Sequence, residues 1–165
     1  MPTNDLVADA FERVREHVLG TLQNLSQDEL TYRPNDKANS IAWLVWHLTR
    51  IQDDHIAEAA GTKQIWSEEW LTKLKLPFNV RDTGYGHGVD EVGAVKASAR
   101  LLAEYHEATY AATIRFIIAL NERDYEKVVD RRWDPPVTLA VRLVSVIDDT
   151  MQHAGQAAYI RGLLP

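Results

Sequence analysis

Near the C-terminal end the stretch VIDDTMQHAGQAAYIRGLLP sets Asp149 and His153 four residues apart, with Gln156 seven beyond Asp149. Each helical residue turns about 100°, so these three share one stripe and offer a carboxylate, an imidazole and an amide to the same neighbour. A second imidazole, His47, lies in WLVWHLTRI with Trp43 and Ile51 one turn to either side, which turns it inward. Two imidazoles and one carboxylate from two helices form the three-ligand set of a catalytic zinc, with a fourth position left for water or substrate. Spacing alone leaves two alternatives open: His47 as a hydrogen-bonded core residue among tryptophans, and D-x3-H as a surface pair.

Such residues need helices to hold them. Residues 4–23 place Leu6, Ala10, Val14, Val18 and Leu22 four apart, which predicts an amphipathic helix facing a core. SQDE at 26–29 has capping-box spacing, so a short helical turn should follow. Ser40 opens SIAWLVWHLTRIQDDHIAEAAG, which Gly61 ends as a left-handed stop. Residues 62–91, with a proline and Gly84, Gly86 and Gly88, read as one long loop. A third long helix is expected from about Glu91 to Leu120, weakened near its start by Gly93. The prolines of RRWDPPVT break the chain, and Thr138 caps a fourth helix running to about Leu163. The fold class is therefore all-α: a four-helix bundle with a long irregular connection between helices two and three, which permits a crossover.

Composition narrows the function. A chain of 165 residues suits a single domain, 1–165. The net charge of -6 argues against nucleic acid as a partner, because a polyanion is repelled at long range. No run approaches the roughly 20 apolar residues of a membrane span, and MPTNDLVADAFERV lacks the order of a signal peptide, so a cytoplasmic protein with no membrane partner is expected. There is no cysteine. Any sulfur chemistry must use a thiol brought in by a ligand.

SIAWLVWHLTRIQDDH followed by DDTMQHAGQAAYIRGLL resembles the DinB-like superfamily, in particular its branch of mycothiol-dependent enzymes, the mycothiol S-transferases and maleylpyruvate isomerase. The likeness runs over nearly the whole chain in helix order, and these two motifs are its specific part. It implies that His47, Asp149 and His153 bind a divalent metal, zinc first, with nickel or another divalent ion as options. Many members carry histidine where this chain has Asp149, and maleylpyruvate isomerase carries glutamate; aspartate is a departure but a competent ligand. The resemblance also implies that a low-molecular-weight thiol such as mycothiol coordinates the metal as thiolate and attacks an electrophilic substrate. Gln156 would orient a ligand or bound water from behind.

Other polar residues carry weaker expectations. Asp54 shares the His47 face but lies about 10 Å along the axis, while Asp53 and His55 should point to solvent. His17 and His106 are expected at the surface or core edge, and Arg161 in an ion pair near a helix C-terminus. Arg81, Tyr85 and His87, in the glycine loop RDTGYGHG, are candidate substrate contacts expected over the open end of the metal site. The favoured reading is a metal-dependent thiol S-transferase in detoxification, with a small-molecule thiol and an electrophile as partners and a homodimer as a possible assembly. A non-catalytic, stress-associated metal-binding bundle and a structural or dimerisation module with a buried polar network are the alternatives.

Overall fold

Hydrophobic periodicity and caps place the long helices where the sequence suggests. The computed structural model describes residues 2–164. In chain order it contains α1 (Thr3–Leu22), a short α2 (Gln27–Thr31), α3 (Ile41–Ala60), the short helices α4 (Glu68–Leu74) and α5 (Val89–Ala94), α6 (Ala99–Ile118), β1 (Val128–Asp130), β2 (Val137–Thr138) and α7 (Leu139–Gly162). Helices α3 and α1 each pack on both α6 and α7, which closes a four-helix bundle. The two short strands pair antiparallel, with Val128 opposite Thr138.

Caps fix the ends by satisfying free backbone groups. The Ser26 hydroxyl accepts from the Glu29 amide while the Glu29 carboxylate accepts from the Ser26 amide, completing the capping box. Ser40 and Thr138 accept from Trp43 and Val141 at the starts of α3 and α7. Gly61, at φ 65°, donates to Glu58 while Thr62 donates to Ala57, a left-handed stop that suits glycine. Among the described residues Arg161 forms no ion pair there. It donates to the carbonyls of Gly20, Thr21 and Gln23 and so closes the end of α1 from across the bundle. On α1 the buried face also departs from the four-residue rule: Leu6 is exposed, and Phe11 enters the core with Val14, Val18 and Leu22.

The connection after α3 is more ordered than a loop. Residues 62–91 include α4 and the start of α5, and they bury Trp66, Leu74 and Leu76 in the same core as Trp46 and Tyr105. The expected third helix is split: α5 stops at Ala94, Val95 and Ala97 are buried in extended chain, and Ser98 caps α6 through the Leu101 amide. Burial of Val95 outweighs continuing the helix.

Asp53 anchors this connection. It is buried, not solvent-facing, and accepts from the amides of Ile65 (2.9 Å) and Trp66 (2.7 Å) and from the Tyr105 hydroxyl (2.8 Å). Arg50, one turn earlier and also buried, stands 3.7 Å from the same carboxylate. Its guanidinium donates to the Asp82 carbonyl and the Gln64 side chain, and lies over the Trp66 ring. Burial pushes the Asp53 carboxyl above its ordinary value, against the opposing pull of its donors and Arg50. His106 is likewise internal: its Nδ1 pairs with the Thr49 hydroxyl at 3.0 Å, and its Nε2 is buried without a partner.

Removing the Asp53 carboxylate leaves Arg50 and two backbone amides uncompensated inside the protein, and breaking a buried pair costs about 3–5 kcal/mol. Asp53→Ala should lower unfolding free energy by that order in urea melts, whereas a loss under 1 kcal/mol would show the anchor to be dispensable. Burial, with Arg15 adding, lowers the His106 pKa to about 4. As pH falls from 6.5 toward 4, the unfolded chain takes up a proton that the folded imidazole refuses, so stability present above pH 6.5 is lost, by about 2 kcal/mol at pH 5. His106→Gln should flatten this pH slope in melts at pH 7 and pH 5; an unchanged slope would assign it to other groups.

Candidate metal centre

The bundle brings His47 of α3 against Asp149 and His153 of α7. One ligand atom from each lies within 4.8 Å of the others, which makes the three a group that could hold a metal ion. The closest approach within α7 is His153 Nε2 to Asp149 Oδ1, 3.6 Å. The His47 and His153 rings meet edge to face at 4.8 Å between centroids. Two ligand atoms each about 2.1 Å from a tetrahedral zinc ion stand about 3.4 Å apart, so a pair at 4.8 Å would have to close by about 1.4 Å. Val146, Thr150, Ala154 and Ala157 on α7 are buried, and they keep the stripe that carries Asp149 and His153 close to its neighbours.

Hydrogen bonds set the tautomers. His47 Nδ1 lies 2.6 Å from the Thr83 carbonyl, which can only accept, so Nδ1 carries the proton and Nε2 keeps a free lone pair. His153 Nδ1 lies 2.9 Å from the Gln156 amide oxygen, with the same consequence. Burial pushes the His47 imidazole below its ordinary value, the Thr83 carbonyl opposes this, and neighbouring His153 adds to the lowering. Neutral His47 is the form that ligates. Asp149 Oδ2 is buried with no hydrogen-bond partner. A carboxylate oxygen in that state calls for a cation.

Two residues outside the ligand stripe make this geometry possible. Trp43 stacks on His47 at 4.6 Å and turns its edge to His153 at 6.4 Å, so one indole braces both imidazoles. Gly84 is buried at φ +96°, and a Cβ there would sit 2.6 Å from His47 Nδ1 and 3.0 Å from the Trp46 ring. The glycine lets the Thr83 carbonyl reach the imidazole. In the sequence Gly84 marks only a loop; its left-handed conformation beside His47 has no local signal beyond glycine itself.

The remaining candidates are dispersed. His87 is half-buried: it accepts the Trp43 indole N–H at 3.2 Å and packs on Trp46 and Phe78, facing the aromatic wall. Tyr85 is 91% exposed and Arg81 is exposed, so the loop presents both to solvent. Asp54 accepts from Gln64, away from the three ligands. His55 is half-buried, not solvent-facing, and burial lowers it from its ordinary value, with Arg142 adding. His17 is exposed.

The family model described as Mycothiol-S-transferase matches residues 6–165. Among solved structures, a conserved protein from Enterococcus faecalis superposes with a TM-score of 0.90 at 32% identity, covering 99% of this chain and 97% of that one. No curated protein matches.

Gly84→Ala should move the Thr83 carbonyl off His47 and weaken divalent-metal affinity by roughly 10–100-fold, the usual effect of losing a group that orients a ligand. Chelator competition with zinc, alongside circular dichroism to confirm folding, measures this. Unchanged affinity would mean that the carbonyl does not orient His47.

Proposed function

The chain belongs to the mycothiol-S-transferase family, and from that premise we propose that it is a metal-dependent thiol S-transferase. His47, Asp149 and His153 hold a divalent ion, and Gln156 fixes the His153 tautomer. The carrying observation is that the two imidazoles commit Nδ1 elsewhere, which leaves Nε2 of each free, while His153 Nε2 stands 3.6 Å from Asp149 Oδ1 and one ligand atom of each of the three residues lies within 4.8 Å of the others. Two imidazole nitrogens and a carboxylate facing one another suit a cation. A nitrogen–nitrogen–oxygen set suits zinc, and nickel or another divalent ion is compatible.

When bound, such an ion favours the thiolate form of a coordinating thiol at neutral pH. The thiol must come from a small molecule, because the chain has no cysteine. Mycothiol is the choice the family favours. Its sulfur forms a bond to an electrophilic carbon of the second substrate, and the displaced group, or the π bond in an addition, takes the electron pair. This chain's residues position and shield. Trp43 and His47 close the inner side against water, whereas His153 and Asp149 are partly exposed and leave the outer side for substrates. Tyr85, Arg81 and His87 belong to the loop whose Thr83 carbonyl touches His47, and we assign the two exposed side chains to the thiol's polar body. No helix among the described residues is long and apolar enough to cross a membrane. We place the activity in one cytoplasmic domain.

His153→Ala should lose bound metal and lower turnover of mycothiol with monobromobimane at least 100-fold, with the helical signal retained. Metal content by mass spectrometry and single-turnover rates check it. Metal retained at wild-type level together with wild-type turnover would refute the site. Stoichiometric metal in the wild type with no turnover for any thiol would make the protein a metal-binding bundle instead.

A further inference from the structure

A second cleft, of about 350 Å³, opens between α3 and α6. Ile56 lies nine residues beyond His47, which is half a turn around α3 and about 14 Å along it, so this cleft faces away from the metal centre. Its volume is at the low end of small-molecule sites, roughly 300–1,000 Å³. The walls are apolar where Ile56, Ile65 and Phe116 contribute, and Ala57, Ala60 and Ala112 keep it open.

Two features give it chemical character. Lys63 and Arg115 line it, both exposed, and among the described residues neither stands against a carboxylate. In a chain of net charge -6, two unpaired cations on one cleft are a local reversal of the prevailing field. The second feature is Thr109, which lines the cleft, is 1% exposed, and has a buried hydroxyl with no partner. Thr113 beside it is engaged with Gln52. The Asp53 carboxylate also borders the cleft, but its charge is opposed by the buried Arg50 guanidinium 3.7 Å away.

We propose that this cleft binds a small carboxylic acid with a short apolar body. The carboxylate pairs with Lys63 and Arg115, the apolar part lies on Ile56 and Phe116, and the Thr109 hydroxyl serves any polar atom carried inward. This site is separate from the metal centre and does not depend on the transferase reading.

Octanoate is the probe, followed by amide resonances of the full-length, metal-loaded protein in a nuclear magnetic resonance titration. Expected are saturable shifts centred on residues 56–65 and 109–116, binding at least tenfold weaker for 1-octanol, and at least tenfold weaker octanoate binding after Lys63→Glu with Arg115→Glu. Ala112→Phe, which fills the cleft, should abolish the shifts while the spectrum stays folded. The proposal is overturned by the absence of saturable shifts, by shifts centred on 43–47 and 149–156, or by octanol binding as well as octanoate. Wild-type octanoate affinity in the charge-reversed protein would overturn it equally.

Discussion

The buried pairing of Arg50 with Asp53 decides where everything after α3 goes. A chain leaving Gly61 is about 20 Å from His47 by helical rise, at the wrong end of α3 to serve that imidazole. Asp53 captures the amides of Ile65 and Trp66 as soon as the helix ends, and Arg50 takes the Asp82 carbonyl further on. Between those two attachments the connection is laid back along α3. Thr83 and Gly84 thereby arrive beside His47. Two charges inside a protein cost several kcal/mol each in lost hydration, so a pair of this kind is retained for what it positions more than for net stability.

The same constraint explains the crowded aromatic wall. Trp66, fixed through its backbone by Asp53 and through its indole by the Val80 carbonyl, packs edge-on against Trp46. Trp46 stacks with His87, His87 receives the Trp43 indole N–H, and Trp43 covers His47. The His47 imidazole is thus held by a hydrogen bond on one nitrogen and a ring on its face, and each restraint traces back to the connection. His47 is therefore oriented by the protein alone.

The parts of this arrangement legible in the sequence are those with a short period. The i, i+4 stripe of Asp149 and His153, the tryptophan-flanked His47, and the Ser40, Gly61 and Thr138 caps all follow from 3.6 residues per turn. Asp53 was illegible because a charged residue beside Asp54 and His55 reads as solvated surface, and its partners are backbone amides supplied by a segment with no helical pattern. His106 failed similarly: its partner Thr49 lies on another helix. The split between α5 and α6 was hidden because Val95 to Ala97 are as compatible with helix as with extended chain, and only tertiary burial distinguishes them. The Thr83 carbonyl is beyond sequence reading altogether, since every residue has one.

Aspartate at position 149 reaches one carbon less far than glutamate, so its use demands a closer backbone. Small side chains on α7 leave room for one. Thr150, Ala154 and Ala157 are small and buried on the same side of α7, and the α3 and α7 pair is the most extensive helix contact in the bundle. Small residues at a helix interface let axes approach toward the lower end of the 8–10 Å range. Each of those side chains also leaves less apolar surface to bury than a leucine would, by roughly 0.8 kcal/mol per missing methylene. The helix that carries Asp149 and His153 therefore gives up hydrophobic stabilisation in exchange for small side chains at its interface.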